Sequence, residues 1–237
     1  MSCNAKNGGA GYKPAVGIIS LDTVERSTIG SGGKTITYPF PIIRQKVKGL
    51  NFEKLYTKDR TFRDAIIETG QELVRRGAKL VAGGCGYMAQ YQKDLASALD
   101  VPVVTSALLQ VPFVSALLKP DEKVGIVCAN SAELDESILA PAGIDKSYPV
   151  YIKGLESKEH FGDIFIRLHT VIDSEKIKAE TVAAVKEMLE EEPKIKAIVF
   201  ECSALPAYAY VVQEAVLLPV FDYSTLINFA YSSLVRQ

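Results

Sequence analysis

Two cysteines occupy matching positions in this sequence. Cys85 directly follows the apolar run KLVAGG, and Cys202 directly follows the run KAIVFE. Pro102 and Pro219 each lie 17 residues after one of these cysteines, and a tyrosine lies six residues after each. The shared spacings indicate an internal duplication that places the two thiols at equivalent points of two related halves.

Two thiols on opposite sides of one substrate can invert a carbon that carries an acidic proton. One thiolate removes the α-proton of an acid, and the other thiol returns a proton to the opposite face. A thiol has a pKa of about 8.5, which a helix N-terminus lowers, so we expect a thiolate near neutral pH. Backbone N–H groups of the same turns would bind the substrate carboxylate. Such a scheme needs no cofactor.

The alternative reading of these cysteines is structural, because cysteine is among the most buried residue types and a duplicated fold can duplicate a core position. Cys3, in a Gly-rich segment, and Cys128, at the end of an apolar run, are predicted to have no part in the chemistry.

The remaining candidate cleft residues each lie at or after a predicted strand end or adjoin a cysteine. These predicted substrate-binding residues are Ser20, Asp22, Gly86, Tyr87, Ser106, Asn130, Ser131, Ser203 and Ala204. His160 and His169 lack a third ligand at metal spacing, so no metal site is predicted. The Gly33-Lys34-Thr35 segment resembles the end of a phosphate-binding loop but lacks its first glycine, so nucleotide binding is not predicted.

The elements that would position these residues alternate between strands and helices. Both cysteines end predicted strands, where ligands bind in open parallel sheets. A Pro- and Gly-containing stretch, residues 21–49, is predicted to fold over the site. Predicted strands cover residues 15–20, 79–82, 101–105, 123–128 and 196–200, and predicted helices cover 61–76, 88–99 and 181–192.

This order predicts an α/β fold of two pseudo-symmetric lobes. Each lobe would contain a mainly parallel sheet flanked by helices, with the active site in the interlobe cleft. We expect lobe one to cover residues 14–115 and lobe two residues 116–215. Residues 216–237 would form a C-terminal strand and helix that return to lobe one.

The composition argues against several classes of partner. The chain has 27 basic and 28 acidic residues among 237 and a net charge of −1, which gives no electrostatic case for nucleic acid. Its apolar stretches are interrupted, so no membrane span is predicted. Residues 1–13 lack the apolar segment of a signal peptide. We therefore expect a cytoplasmic protein with reduced cysteines.

The sequence resembles the aspartate/glutamate/hydantoin racemase superfamily. The segments that carry the resemblance are GIISLDT (17–23), TYPFPI (37–42), GGCGYMAQYQ (83–92), VPVVTSALLQVP (101–112), ECSALPAYA (201–209) and LPVFDYSTLINF (218–229). The resemblance implies two lobes that each contribute one cysteine, cofactor-independent chemistry, a small-molecule carboxylate substrate and a homo-oligomer.

Two segments depart from the glutamate racemase pattern. Ser20-Leu21-Asp22 stands where those enzymes have an Asp-Ser-Gly type loop, and Cys85-Gly86-Tyr87 stands where they have a Cys-Asn-Thr type turn. The variant pattern resembles a branch that includes dimethylsulfoniopropionate lyases of algal type. In that branch, a cysteine removes a proton next to a carboxyl group and a β-leaving group departs.

Three functions follow from these observations. The leading hypothesis is a racemase or epimerase of a small acidic substrate, such as aspartate or glutamate, with Cys85 and Cys202 as the acid/base pair. The alternative is a lyase of the dimethylsulfoniopropionate type that uses the same cysteines. The third is a non-catalytic protein that binds a carboxylate in the cleft.

Overall fold

The structure, a computed structural model, describes residues 14–23, 27–29, 38–58, 60–165 and 171–235. Its strands are β1 (Ala15–Leu21), β2 (Ser27–Ile29), β3 (Ile42–Val47), β4 (Ala78–Gly83), β5 (Val103–Val104), β6 (Lys123–Cys128), β7 (Val150–Gly154), β8 (Val171–Asp173), β9 (Ile195–Phe200) and β10 (Val220–Phe221). Its α-helices are α1 (Phe52–Tyr56), α2 (Arg63–Arg75), α3 (Gln92–Ala98), α4 (Val111–Ser115), α5 (Glu136–Leu139), α6 (Glu159–Phe165), α7 (Ser174–Glu191), α8 (Ala209–Val216) and α9 (Tyr223–Ser232).

Two four-stranded parallel sheets have the same topology. The first has the strand order β3-β1-β4-β5, and the second has the order β7-β6-β9-β10. Gly17 pairs with Val81 in the first sheet, and Gly125 pairs with Ile198 at the equivalent position of the second. A small third sheet pairs β2 with β8. The predicted fold class, two α/β lobes with parallel sheets, is confirmed.

The central strands form because they are short apolar runs that can be buried on both faces. The runs AVGIISL, KVGIVC and IKAIVF are almost wholly buried, as expected for parallel sheets covered by helices. One helix packs closely on each central strand. A Cβ at Gly17 would lie 2.9 Å from Leu73 Cβ of α2, and one at Gly125 would lie 2.7 Å from Met188 Cε of α7.

The predicted strands 15–20, 79–82, 123–128 and 196–200 correspond to β1, β4, β6 and β9. The predicted strand 101–105 shortens to β5. The predicted helix 88–99 begins as a 3-10 turn, Gly86–Tyr91, and continues as α3. The two outer strands β3 and β7 were not predicted. β3 lies in a stretch interpreted as a connection, and its sequence IIRQKV mixes polar residues with apolar ones because it is a half-exposed edge strand.

Each sheet is partly covered by a segment that follows the last strand of the other sheet. The 3-10 turn Ala107–Gln110 and α4, which follow β5, contact β9 and β6. Helix α9, which follows β10, contacts β4 and β5. The domain bounds 14–115, 116–215 and 216–237 stay a prediction.

Across the described ranges, no helix has both the length and the apolar character needed to cross a bilayer.

Candidate active site

Cys85 and Cys202 occupy equivalent places in the two lobes. Cys85 follows β4 and Cys202 lies two residues after the end of β9, and they are 7% and 8% exposed. The Cys85 carbonyl accepts a hydrogen bond from the Met88 N–H, and the Cys202 carbonyl accepts one from the Leu205 N–H, both at 3.0 Å. The duplication predicted from sequence spacing therefore extends to individual backbone hydrogen bonds.

The two thiols are close enough to affect each other. Burial raises the pKa of the Cys85 thiol well above its ordinary value, and charges on Glu201 and Cys202 raise it further. The Tyr87 backbone N–H, which lowers this pKa, does not offset those effects. The expectation that Cys85 has a lowered pKa is therefore wrong, because burial and a nearby carboxyl outweigh the short 3-10 turn that follows the cysteine.

Glu201 breaks the symmetry between the lobes. The Glu201 N–H donates to the Val127 carbonyl at 2.9 Å, just as the Gly84 N–H donates to the Ile19 carbonyl at 2.7 Å, so Glu201 is the counterpart of a glycine. At Gly84 itself a Cβ would lie 2.7 Å from the Ile19 oxygen. One lobe thus presents bare backbone where the other presents a carboxyl group.

The Glu201 carboxyl is buried without a hydrogen-bond partner. The residue is 1% exposed, and neither carboxyl oxygen makes a hydrogen bond within the described part of the chain. Burial raises its pKa to about 8, and the nearby Ala129 backbone N–H offsets this only in part. The carboxyl lies against Gly86, where an added Cβ would overlap it. It is therefore positioned beside Cys85 and follows directly on from β9.

Two tyrosines form one wall of the site. The Tyr56 and Tyr87 rings meet edge to face, with their centroids 4.9 Å apart. The Tyr87 hydroxyl donates to the Asn130 carbonyl at 2.6 Å and accepts from the Asn130 N–H at 3.0 Å, which joins the lobes. Burial raises the pKa of Tyr56, and charges on Cys85 and then Glu201 raise it further. The Tyr56 hydroxyl therefore lies near both groups.

The structure brings several predicted site residues to the cysteines. Gly86 and Tyr87 belong to the turn that follows Cys85, and Ser203 and Ala204 follow Cys202. The Ser203 hydroxyl donates to the Gly84 carbonyl at 2.9 Å and so bridges the lobes. Asn130 joins the site through its backbone, since its side chain accepts from the Ala132 N–H at 3.2 Å.

Other predicted residues use their polar groups elsewhere. The Asp22 carboxylate accepts from the Gly49 N–H at 3.0 Å, beyond the end of β3. The Ser106 hydroxyl accepts from the Leu108 N–H at 3.2 Å and is fully buried. The Ser131 hydroxyl donates to Glu156 at 2.6 Å. Ser20, half-buried at the end of β1, lies beside Gly84.

Cys128 is fully buried, and its thiol donates to the Lys153 carbonyl at 3.7 Å; its predicted structural role stays a prediction. The described residues contain no group of three or more His, Cys, Asp or Glu that could hold a metal ion. His160 Nδ1 lies 2.8 Å from Glu180 Oε1. Cys3, the Gly33-Lys34-Thr35 segment and His169 lie outside the described residues.

Sequence reasoning missed Glu201 and Tyr56 as site residues. A signal for Glu201 was present, because an acidic residue directly follows an apolar strand and directly precedes the second cysteine. Tyr56 had no such signal, since it reaches the site from α1, a five-residue helix far from both cysteines in sequence.

No family model matches this sequence. The chain is 29% identical over 218 residues to a dimethylsulfoniopropionate lyase of Durusdinium sp. clade D, an alignment that covers 88% of this chain and 71% of the relative. It is 26% identical over 231 residues to dimethylsulfoniopropionate lyase 5 of Emiliania huxleyi, covering 93% of this chain. The match spans 45% of that longer relative.

Solved structures with the same fold include a decarboxylase and racemases. Arylmalonate decarboxylase superposes with a TM-score of 0.57 at 15% identity, covering 93% of this chain and 92% of that one. An aspartate racemase homologue from Pyrococcus horikoshii superposes with a TM-score of 0.55 at 21% identity, covering 92% and 99%. The chain thus has the fold that the resemblance to the racemase superfamily predicts, and the predicted similarity to dimethylsulfoniopropionate lyases is confirmed.

Proposed function

We propose that this protein is a lyase that cleaves dimethylsulfoniopropionate or a closely related β-sulfonio acid. The observation that carries the proposal is similarity to enzymes named dimethylsulfoniopropionate lyases along 88% and 93% of this chain. The segments aligned include both cysteine turns, because matches of this extent leave only short parts of the chain uncovered. The site residues support the same chemistry.

The reaction would begin with removal of a proton from the carbon next to the carboxylate. A cysteine thiolate takes the α-proton, the electrons of the C–H bond form a C=C bond, and the C–S bond breaks. The sulfonium sulfur keeps the pair from the C–S bond and leaves as neutral dimethyl sulfide. The products are acrylate, the sulfide and a protonated cysteine, which returns its proton to solvent.

The chain's own residues would bind and orient the substrate. Backbone N–H groups next to Cys85 and Cys202 are the donors available to the substrate carboxylate and to the negative charge that develops during proton removal. Burial of both thiols excludes water from the carbanion. The Tyr87–Asn130 and Ser203–Gly84 hydrogen bonds hold the lobes, and with them the two thiols, in register.

The proposal is tested by incubating the purified protein with dimethylsulfoniopropionate and measuring dimethyl sulfide in the headspace and acrylate by NMR. We expect both products in equal amounts. Replacement of the cysteine that acts as the base, in Cys85→Ser or Cys202→Ser, should lower the rate by about 100-fold or more. Cys3→Ser, at a cysteine predicted to have no part in the chemistry, is the matched thiol control and should retain most of the rate. Absence of both products would contradict the proposal.

A racemase remains a second candidate, favoured by the equivalent positions of the two cysteines. Racemisation needs both thiols in each turnover, whereas elimination needs one base. Proton NMR in D2O with aspartate, glutamate and related acids would show deuterium entering at the α-carbon without loss of any substituent. Exchange that requires both cysteines, with no elimination product, would select the racemase.

A further inference from the structure

The space around the cysteines is rich in acidic groups and poor in basic ones. Burial raises the pKa of four side chains around Glu201, and charge on Glu201 raises each further; they are Cys85, Cys128, Tyr56 and Tyr87. No lysine or arginine of the described ranges contributes to the pKa of Cys85 or of Glu201. Within those ranges the site therefore holds a buried carboxyl that is protonated at neutral pH, with no basic side chain to balance its ionised form.

A buried carboxyl without a partner is destabilising when it ionises unless a cation accompanies it. Glu201 has no such partner within the described chain, and its carboxyl lies against Gly86, in the turn that directly follows Cys85. A cationic group on the substrate would supply the missing partner. A second carboxylate on the substrate, as in aspartate or glutamate, would be repelled instead.

We infer that Glu201 selects the cationic leaving group: its carboxylate, together with the Tyr56 ring, binds the onium centre on the β-carbon of the substrate. The identity of the substrate as a β-sulfonio acid rests on the proposed function. An aromatic ring near a sulfonium or quaternary ammonium group adds cation–π attraction, and the Tyr56 ring packs edge to face on Tyr87, next to the glycine that the carboxyl contacts. Lobe one, with Gly84 at the equivalent position, has no such carboxyl.

This placement would couple substrate recognition to activation of the base. A cation bound beside Glu201 lowers the pKa of that carboxyl, and its positive charge offsets the effect of the ionised carboxylate on the neighbouring Cys85 thiol, which favours loss of the Cys85 proton when the cation is bound. When the C–S bond breaks, the sulfur becomes neutral and the attraction to Glu201 is lost. The sulfide then leaves a site that no longer binds it.

The test is a calorimetric titration with two matched, unreactive acids. One is 3-(trimethylammonio)propionate, which carries the cation, and the other is 4,4-dimethylpentanoate, its neutral isostere. We expect the cationic acid to bind about tenfold more tightly or better. Titration at pH 7 in buffers of different ionisation enthalpy should show proton release with the cationic acid only, because binding it ionises Glu201.

Three variants and a control test whether Glu201 and Tyr56 cause the preference for the cationic acid. Glu201→Gln should abolish both the cation preference and the proton release while changing the affinity for the neutral acid by only about twofold. Glu190→Gln, at an exposed position of α7, is the control and should leave both unchanged. Tyr56→Phe should keep the preference and Tyr56→Leu should reduce it, because only an aromatic ring attracts the cation.

The binding data separate this inference from the proposed function. Equal affinities for the two acids, or a cation preference that survives in Glu201→Gln, would overturn the role of Glu201 even if dimethyl sulfide is produced. A cation preference that is lost in Glu201→Gln would support it even if no lyase activity is found, and only the proposed reaction would then fail.

Discussion

At the scale of single residues, Glu201 and Gly86 depend on each other. The carboxyl occupies the volume that a side chain at position 86 would need, and the absence of that side chain lets the carboxyl lie beside Cys85. Because the carboxyl is buried beside Cys85, Glu201 keeps its proton at pH values well above those at which a carboxyl ordinarily loses it. Both features can be measured without knowing the substrate.

Glu201 should make the stability of the protein depend on pH. Its pKa is raised from an ordinary 4.5 to about 8 in the folded protein, so between these values the folded state holds a proton that the unfolded state has lost. The free energy of unfolding should therefore fall as pH rises through this window, and level off above it, by on the order of a few kcal/mol.

Urea unfolding of the wild type and of Glu201→Gln at pH 5, 6.5 and 8.5 checks this dependence. The glutamine variant should lack this contribution, so its stability should improve relative to the wild type as pH rises. A stability difference that stays constant over the three pH values would contradict the raised pKa.

Gly86→Ala should be destabilising because of Glu201. The added methyl group would overlap the carboxyl, and we expect a cost of about 1–3 kcal/mol in the free energy of unfolding. In a Glu201→Ala background the same change should cost less, because the overlap with the carboxyl is removed, but part of the cost should stay, because the added methyl group also overlaps the main-chain carbonyl of residue 201. Denaturant unfolding of the four proteins in this double-mutant cycle measures the coupling. Equal costs in both backgrounds would show that the carboxyl contact is unimportant and that the main-chain carbonyl alone sets the cost.

At the scale of elements, the 3-10 turn after Cys85 is fixed by the segment that precedes α2. Asp94 of α3 accepts hydrogen bonds from Arg60 and Arg63, both at 2.7 Å, and Arg60 also donates to the Gln90 carbonyl at 3.0 Å. Burial of Asp94 tends to raise its pKa, but the two arginines lower it below the ordinary value. These contacts attach the turn that contains Gly86 and Tyr87 to the rest of lobe one.

Asp94→Asn should therefore destabilise the protein by about 1 kcal/mol, because it removes the charge that both arginines share. The expected fall in Tm is about 2–4 °C for a chain of this size. Asp64→Asn is the matched control, since Asp64 is 89% exposed and, among the residues that the structure describes, pairs with one arginine, Arg63. Thermal unfolding followed by circular dichroism should show a smaller effect for the control; equal effects would argue against the role assigned to Asp94.

The strands that could be predicted from the sequence are those that are buried on both faces. β1, β4, β6 and β9 are apolar over most of their length because helices or the other lobe cover both faces, and their runs can be recognised directly. β3 could not be recognised in the same way, because an edge strand exposes part of its length. The cysteines were found through their spacing, whereas Tyr56 enters the site through tertiary packing that leaves no local pattern.

In the whole molecule, the two halves are held together by hydrogen bonds between the two exchanged segments and by hydrogen bonds near the cysteines. Gln110 donates to the Asp222 carbonyl at 2.8 Å and accepts from the Thr225 hydroxyl at 2.9 Å, which ties the segment after β5 to the start of α9. The Tyr87–Asn130 and Ser203–Gly84 bonds add links near the cysteines. The duplication was predictable from the sequence, and the return of residues 216–237 to lobe one was an expectation; the reciprocal contact of the segment after β5 with the second sheet was not foreseen, because it depends on how the lobes pack.

The exchanged segments have a consequence for the covalent continuity of the chain. Each sheet is covered in part by a segment that belongs to the other half, so neither half encloses its own core. Cutting the chain at the exposed Lys119–Pro120 link should leave two polypeptides that are each unable to fold alone but assemble when co-expressed. Co-purification of an affinity-tagged first fragment with the second checks this, and a stable, monomeric single fragment would contradict it. A positive result would show that the protein folds like a heterodimer whose two subunits are joined in one chain. Fragment complementation could then exchange one lobe without altering the other.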